Sequence, residues 1–315
     1  MYYLGIDLGG TNIVAGVVDE DYKIVAKESC KTNLPRPTSE ICDDMAAVTL
    51  KALETAGITL DDIPFVGIGA PGAVNSETGV IEFSANFDAH NWEIAKMMEE
   101  RLNKKVKVEN DANAAALGEY LAGAAKDAKN AVAITLGTGV GGGIIIDGKI
   151  YSGSNYAGAE LGHIVIEYNG RQCGCGRKGC WEAYASATGL INMTKEAIEN
   201  PENKDSYLYK SVDGDVSKVS GITAFDAMHH DCPVGKAVVD TYISYLACGL
   251  VNVINIFQPD IICIGGGISR QGDNLIKPLM KIVEAERYTK HNAKQTKVCI
   301  ALLGNDAGII GAAKL

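Results

Sequence analysis

GIDLGGTNIVAGVVD, Gly5 to Asp19, and the stretch ending GVGGGIIID at Asp147 share one design: strand, Gly/Thr turn, strand, acidic turn. A shift of 128 positions lays Gly9 on Gly137, Gly10 on Thr138 and Asp19 on Asp147. Apolar, β-branched runs mark the strands, and the glycines mark where the chain reverses. Two hairpins of like design, each opening one half of the chain, predict a duplicated architecture of two lobes facing each other across a crevice.

Outward from these hairpins, further apolar runs recur at FVGIGA, KVKVE and DIICIGGG. Helical patterns lie between them at ICDDMAAVTLKALETAG, EIAKMMEERLN and DANAAALGEYLAGAA. Alternating strands and helices predict an α/β fold. A chain of 315 residues with 47% hydrophobic content can bury a core large enough to divide into two lobes. Thr241 to Pro259 carries no charge yet contains Gly249, Asn252, Asn255 and Gln258, which predicts a buried core helix rather than a membrane span. The polar segment from Asn200 to Ser220 is expected at the surface.

A net charge of −10 and a pI near 5.1 leave no basic stripe for counterion release, so nucleic acid is a poor partner and small molecules are better ones. Nine cysteines is an odd number, and no charged-then-apolar leader precedes Gly5. Both features are read as a chain of the reducing cytoplasm, without membrane attachment.

Glycine and threonine at a hairpin tip leave backbone N–H groups uncovered, so a phosphate can approach the main chain closely. Neither turn is followed by the Gly-Lys-Ser/Thr of a P-loop or by a dinucleotide-binding helix in register. Asp7 stands inside an apolar strand, where an anion is costly unless paired, and Mg²⁺ carried by phosphates is its natural partner. Gly265 to Gly267 end another apolar run and could let a ribose or base lie against the backbone. VEND, Val108 to Asp111, ends a strand just before an alanine-rich helix, which places Asn110 or Asp111 at the N-cap. The helix dipole is expected to help keep Asp111 ionised, and a carboxylate beside a phosphate can accept a proton from an attacking hydroxyl.

His163, Cys173, Cys175 and Cys180 offer one imidazole and three thiolates, a closed tetrahedral shell for a structural Zn²⁺. Such a metal needs no carboxylates, so Glu160 and Glu182 beside it point to a loop that presents Glu160, His163 and Glu182 to another ligand. Trp181 and Tyr184 are expected to pack beneath that loop, and the other six cysteines read as small apolar residues.

Together DLGGTNI, ENDANAAALGE, LGTGVGGG, GAELGH and CGCGRKGCWE resemble the ROK family of repressors and sugar kinases, and within it the bacterial glucokinase branch. The resemblance implies a two-lobed, actin-like ATPase fold of duplicated ribonuclease H-like halves. It expects a smaller lobe of residues 1–118 plus about 299–315 and a larger lobe of 119–298 carrying the zinc loop. It implies ATP-dependent phosphorylation of the C6 hydroxyl of glucose. Asp7, Gly9, Gly10, Thr11 and Asn12, with Gly137, Thr138 and Gly139, would hold the Mg²⁺-bound ATP phosphates, and Gly265 and Gly266 the adenosine side. Asp111 would be the catalytic base. Gly72, Asn86, Asn110, Asp111, Glu160, His163 and Glu182 would line the sugar site, and His163, Cys173, Cys175 and Cys180 would ligate zinc.

A homodimer is expected. Fructose, mannose, allose, N-acetylmannosamine and N-acetylglucosamine use similar contacts, and polyphosphate is an alternative donor. A sugar-responsive repressor is disfavoured by the acidic charge and by a strand pattern that starts at Gly5. Asp7 and Asp111 together argue against a catalytically silent sugar-binding protein.

Overall fold

The computed structural model describes residues 1–315. The chain forms two compact units. The first comprises Met1–Ala133, Gly143–Ala159 and Ala301–Leu315, and the second Ile134–Gly142 and Glu160–Ile300.

The first unit runs β1 (Tyr3–Leu8), β2 (Asn12–Val18), β3 (Ile24–Lys31), α1 (Thr38–Ala56) and β4 (Val66–Ala70). A small sheet of β5 (Ala73–Asn75), β6 (Val80–Ser84) and β7 (Ala89–Trp92) follows, then α2 (Ile94–Leu102), β8 (Val106–Asn110) and α3 (Asp111–Ala122). The main sheet has the order β3-β2-β1-β4-β8, with β1, β4 and β8 parallel and β2 antiparallel to both neighbours. β1, β2 and β4 are largely buried on both faces, which is why they read as continuous apolar runs, whereas the edge strand β3 is largely exposed and alternates. Ile6, Leu8, Ile13, Ile41, Met45 and Ile68 belong to one buried core beneath α1.

Register places the chemistry. Asp7 pairs with Val14 on one side and Gly69 on the other, and Gly69 pairs with Glu109. The carboxyl ends of the three parallel strands therefore gather the Gly9 turn, the Gly72 loop and Asn110–Asp111 at one edge, where α/β sheets bind ligands.

β9 (Ala131–Leu136), β10 (Val140–Ile146) and β11 (Lys149–Ile150) begin the second sheet. The remainder is α4 (Glu182–Ala185), α5 (Ala187–Glu199), α6 (Tyr207–Lys210), α7 (Thr223–His229), α8 (Pro233–Phe257), β12 (Ile261–Gly265), α9 (Asp273–Glu286) and β13 (Lys297–Ile300). The final helix α10 (Ala307–Ala312) belongs to the first unit. The second sheet has the order β11-β10-β9-β12-β13, the counterpart of the first, strand for strand. The shift of 128 carries Tyr3 onto Ala131, Leu8 onto Leu136, Asn12 onto Val140 and Val18 onto Ile146, so every boundary of the first hairpin falls on one of the second.

α8 contains an 18-residue stretch with a mean hydropathy of 1.6 and is long enough to cross a membrane, yet Tyr242, Leu246, Leu250 and Ile254 on it are buried within the protein. Its Gly249 lies against the Trp181 indole, where a Cβ would collide. It is a core helix. The Asn200–Ser220 segment is largely exposed, as its composition predicts, but it is pinned by buried Leu208 in α6 and buried Val212 in the turn that follows.

Candidate functional site

In the first unit the Gly9–Thr11 turn joins β1 to β2, and the Gly9 N–H donates to the Asn12 carbonyl at 2.9 Å. A cavity of 560 Å³ opens over this turn, bordered by Asp7, Gly10, Asn12, Lys27 and Asp306. The Asn86 amide lies over Gly10: a Cβ there would stand 3.5 Å from Asn86 Nδ2. Lys31 Nζ donates to Asn12 Oδ1 at 2.9 Å, and Lys27 pairs with Asp306 at 2.7 Å. Both lysines were unassigned from sequence, although period-two alternation along IVAKESCK places Lys27, Ser29 and Lys31 on one face.

Asn110 is the N-cap of α3, its Oδ1 accepting from Ala112 and Asn113 N–H at 2.9 and 3.1 Å. Its Nδ2 donates to the Gly72 carbonyl at 3.1 Å. Gly72 has φ 120°, and a Cβ there would strike the Phe83 carbonyl. Asp111 is the first residue of the helix, with its Oδ1 accepting from Ala112 N–H at 2.8 Å. Behind them the buried Glu109 accepts from Asn110 N–H at 2.9 Å and from Asn113 Nδ2 at 3.0 Å, holding the strand-to-helix corner.

Burial pushes the Asp7 carboxyl up to about 6, with the nearby Asp111 charge as a second cause. Burial raises Asp111 as well, only partly offset by the Ala112 N–H. The amide at the helix start favours the ionised form, the direction expected of a helix N-terminus, but desolvation outweighs it. Two neighbouring carboxyls, both held above the ordinary range, form a site that a divalent cation would relieve. That donor chemistry fits Mg²⁺.

In the second unit the turn between β9 and β10 is Gly137-Thr138-Gly139, with Gly137 N–H donating to the Gly139 carbonyl at 3.0 Å. A Cβ on Gly137 would meet nothing within 4 Å, so packing does not demand glycine there, and open space above a turn suits a ligand. Gly266, at φ 85°, lies against the Leu136 backbone, which brings the glycines at the end of β12 beside this turn.

The donor atoms of His163, Cys173, Cys175 and Cys180 all lie within 4.8 Å of one another. Cys175 Sγ is 3.6 Å from Cys180 Sγ, and Cys173 Sγ is 3.7 Å from His163 Nδ1. Tetrahedral zinc with sulfur and nitrogen ligands needs donor separations of about 3.5–3.8 Å. The residues therefore fit the ion. Trp181 and Tyr184 are buried beneath the loop, as expected, the indole N–H donating to the Tyr245 carbonyl at 3.0 Å and the Tyr184 hydroxyl accepting from Arg171 N–H at 2.6 Å.

Glu160 is exposed and precedes the short turn Leu161–His163, whose His163 N–H donates to its carbonyl at 3.0 Å. Glu182 opens α4, and its Oε2 accepts from Val140 N–H at 2.9 Å while Oε1 lies 3.7 Å from Cys173 Sγ. The sequence-expected residues thus form two groups. Asp7, Gly9–Asn12, Gly72, Asn86, Asn110 and Asp111 belong to the first unit, and Gly137–Gly139, Glu160, His163, Glu182, Gly265, Gly266 and the cysteines to the second.

Two sheets of one strand order, each opening on a glycine-tipped hairpin, define a duplicated α/β fold of the actin-like ATPase class. The chain matches the ROK family over residues 3–315. It is 38% identical to a glucokinase of Thermotoga maritima, covering 99% of this chain and 96% of that protein. It is 29% identical to an N-acetyl-D-glucosamine kinase of Haemophilus influenzae, over 100% and 99% of the two chains. A ROK glucokinase from Streptomyces griseus, solved in complex with glucose and AMPPNP, superposes with a TM-score of 0.83 at 36% identity, covering 100% of this chain and 98% of that one. The chain belongs to the ROK family.

Proposed function

We propose that this protein transfers the terminal phosphoryl group of ATP to the C6 hydroxyl of glucose. The observation that carries the reading is the Asp7–Asp111 pair beside a glycine-tipped turn, in a chain 38% identical over nearly its whole length to a glucokinase. The backbone N–H groups of the two turns, Gly9–Asn12 and Gly137–Gly139, bind phosphate oxygens, and Gly265 and Gly266 receive the adenosine. Asp7 holds Mg²⁺, which when bound neutralises phosphate charge. Asp111 accepts the proton of the attacking hydroxyl. Burial raises its pKa, which strengthens it as a proton acceptor.

Gly72, Asn86 and Asn110 with Asp111 in the first unit, and Glu160, His163 and Glu182 in the second, are the sugar ligands in this reading. Charge-assisted bonds from carboxylates and imidazole to neutral hydroxyls discriminate against analogues that lack one. His163, Cys173, Cys175 and Cys180 hold a structural Zn²⁺, which fixes the direction of the remaining His163 nitrogen. We assign the protein to the cytoplasm and to a homodimer, the latter checked by sedimentation.

The deciding experiment is ADP release measured across hexoses and amino sugars and ranked by kcat/KM, with polyphosphate as a second donor. Glucose with ATP is expected first. A ranking led by N-acetylglucosamine or N-acetylmannosamine would transfer the assignment to an amino-sugar kinase, and no turnover with any sugar would overturn it.

A further inference from the structure

The cysteine loop and the second glycine turn are fastened together at four points within the second unit. Glu182, two residues beyond Cys180, accepts from Val140 N–H at 2.9 Å through Oε2, and its Oε1 backs onto Cys173 Sγ at 3.7 Å. A Cβ on Gly139 would collide with that same carboxylate. Ala187 N–H donates to the Gly137 carbonyl at 2.8 Å, and Thr188 Oγ1 donates to the Thr138 carbonyl at 2.7 Å. Gly162, next to His163, lies so close to the Val140 carbonyl that a side chain could not fit. All three turn residues and the first residue of β10 are thus held by groups whose positions follow from the loop.

The loop in turn depends on its centre. Residues 171–180 carry six glycine or cysteine positions and little apolar surface, and their internal bonds are a few contacts to backbone, such as Cys173 N–H to the Arg177 carbonyl at 2.9 Å and Gln172 Nε2 to the same carbonyl at 3.2 Å. Without an ion, Cys173, Cys175, Cys180 and His163 are joined by weak thiol contacts such as Cys175 Sγ to Cys180 Sγ at 3.6 Å, far weaker than metal bonds. Cys180 and His163 are each followed within two residues by backbone that carries the contacts above, through Trp181 N–H to Ile164 O at 2.8 Å and the opening of α4 at Glu182.

We propose that Glu182 and Thr188 are positioning residues that lock the Gly137–Gly139 turn to the cysteine loop, so that metal occupancy of the loop sets the affinity for nucleotide. This rests on the reading of that turn as a phosphate-binding element. The metal would then act on both substrates: directly on the sugar side through His163, and on the nucleotide side through the Glu182 carboxylate. Order in the turn is the quantity transmitted. A turn already held in one conformation loses less freedom when a phosphate binds.

The test measures MgADP binding by calorimetry with no sugar present, which keeps any sugar contact of Glu182 out of the result. The full chain is compared zinc-loaded and chelator-stripped, alongside zinc-loaded Glu182→Ala, Thr188→Val and Thr188→Ser. Stripping and Glu182→Ala are each expected to weaken MgADP roughly tenfold, the scale of one hydrogen bond to a charged group. Thr188→Val should weaken it several-fold, with Thr188→Ser restoring it and the melting temperature the same for both.

Equal MgADP affinity in loaded and stripped protein would overturn the coupling. So would equal affinity in the Thr188 pair, which decides the matter should stripped protein or the Glu182 variant fail to fold. Failure of MgADP to bind the loaded wild-type chain at all would instead sink the phosphate assignment of the turn.

Discussion

Asp7 is an acid in a strand whose other members are Tyr3, Leu4, Gly5, Ile6 and Leu8. Its carboxyl is raised from 3.8 to about 6, so folding favours the neutral form. The associated stability is complete below pH 3.8 and is lost as pH rises through about 6, a difference of about 3 kcal/mol at neutrality. In the absence of Mg²⁺ and nucleotide, Asp7→Asn should therefore stabilise the protein at pH 7.5 by about 2–3 kcal/mol, read by urea denaturation, and the gain should vanish by pH 4. Turnover should fall at least about a hundredfold. An unchanged or lower stability would mean that the carboxylate already has a partner. Asp111→Ala should cost about 10²–10⁴ in kcat while glucose still binds with reduced affinity by calorimetry; near-normal kcat would remove it as the base.

At the scale of elements, α10 is seated by glycines. A Cβ on Gly5 would strike the Ile309 carbonyl, one on Gly67 the Ala312 carbonyl, one on Gly118 the Ala307 carbonyl and one on Gly311 the Ala114 carbonyl. Buried Glu119 adds the chain leading into α10, accepting from Leu302 and Leu303 N–H at 3.1 and 2.7 Å. Since α3 carries Asp111 at its start, Gly67→Ala should cost about 1–3 kcal/mol by overpacking and lower kcat as well. Gly137→Ala is the contrasting case. It meets no protein atom, so the melting temperature should hold while the KM for ATP rises; a matching loss of stability would show that the glycine serves the fold instead.

The hairpins themselves were legible in sequence because strand period and glycine placement are local signals, and even the 128-residue offset survives in the strand boundaries. The docking of α10 was not, because a backbone-to-backbone approach leaves only glycines that look like any others. The same holds for Glu182: its charge and its place beside Cys180 were visible, but its bond to the Val140 amide lies 42 positions back along the chain.

At the scale of the whole molecule the chain passes between its compact units in the middle of strands, at Ala133–Ile134 in β9 and Gly142–Gly143 in β10. The four metal-type residues all lie in the second unit, and so does the tip of the β9–β10 hairpin. A metal bound there stabilises directly only the unit whose folded form assembles the site, since an unfolded chain has no preformed shell. Purified protein should accordingly carry about one zinc per chain. On removing it with a chelator under native conditions, amide exchange should accelerate in residues 134–142 and 160–190, with the change in protection ending partway along β9 and β10. β1 to β3, at residues 3–31, contain no ligand and no partner of the loop, so their exchange should be unaltered. Uniform acceleration across both units would mean that the ion supports global stability rather than one unit. No acceleration anywhere would mean that the cysteine cluster orders nothing.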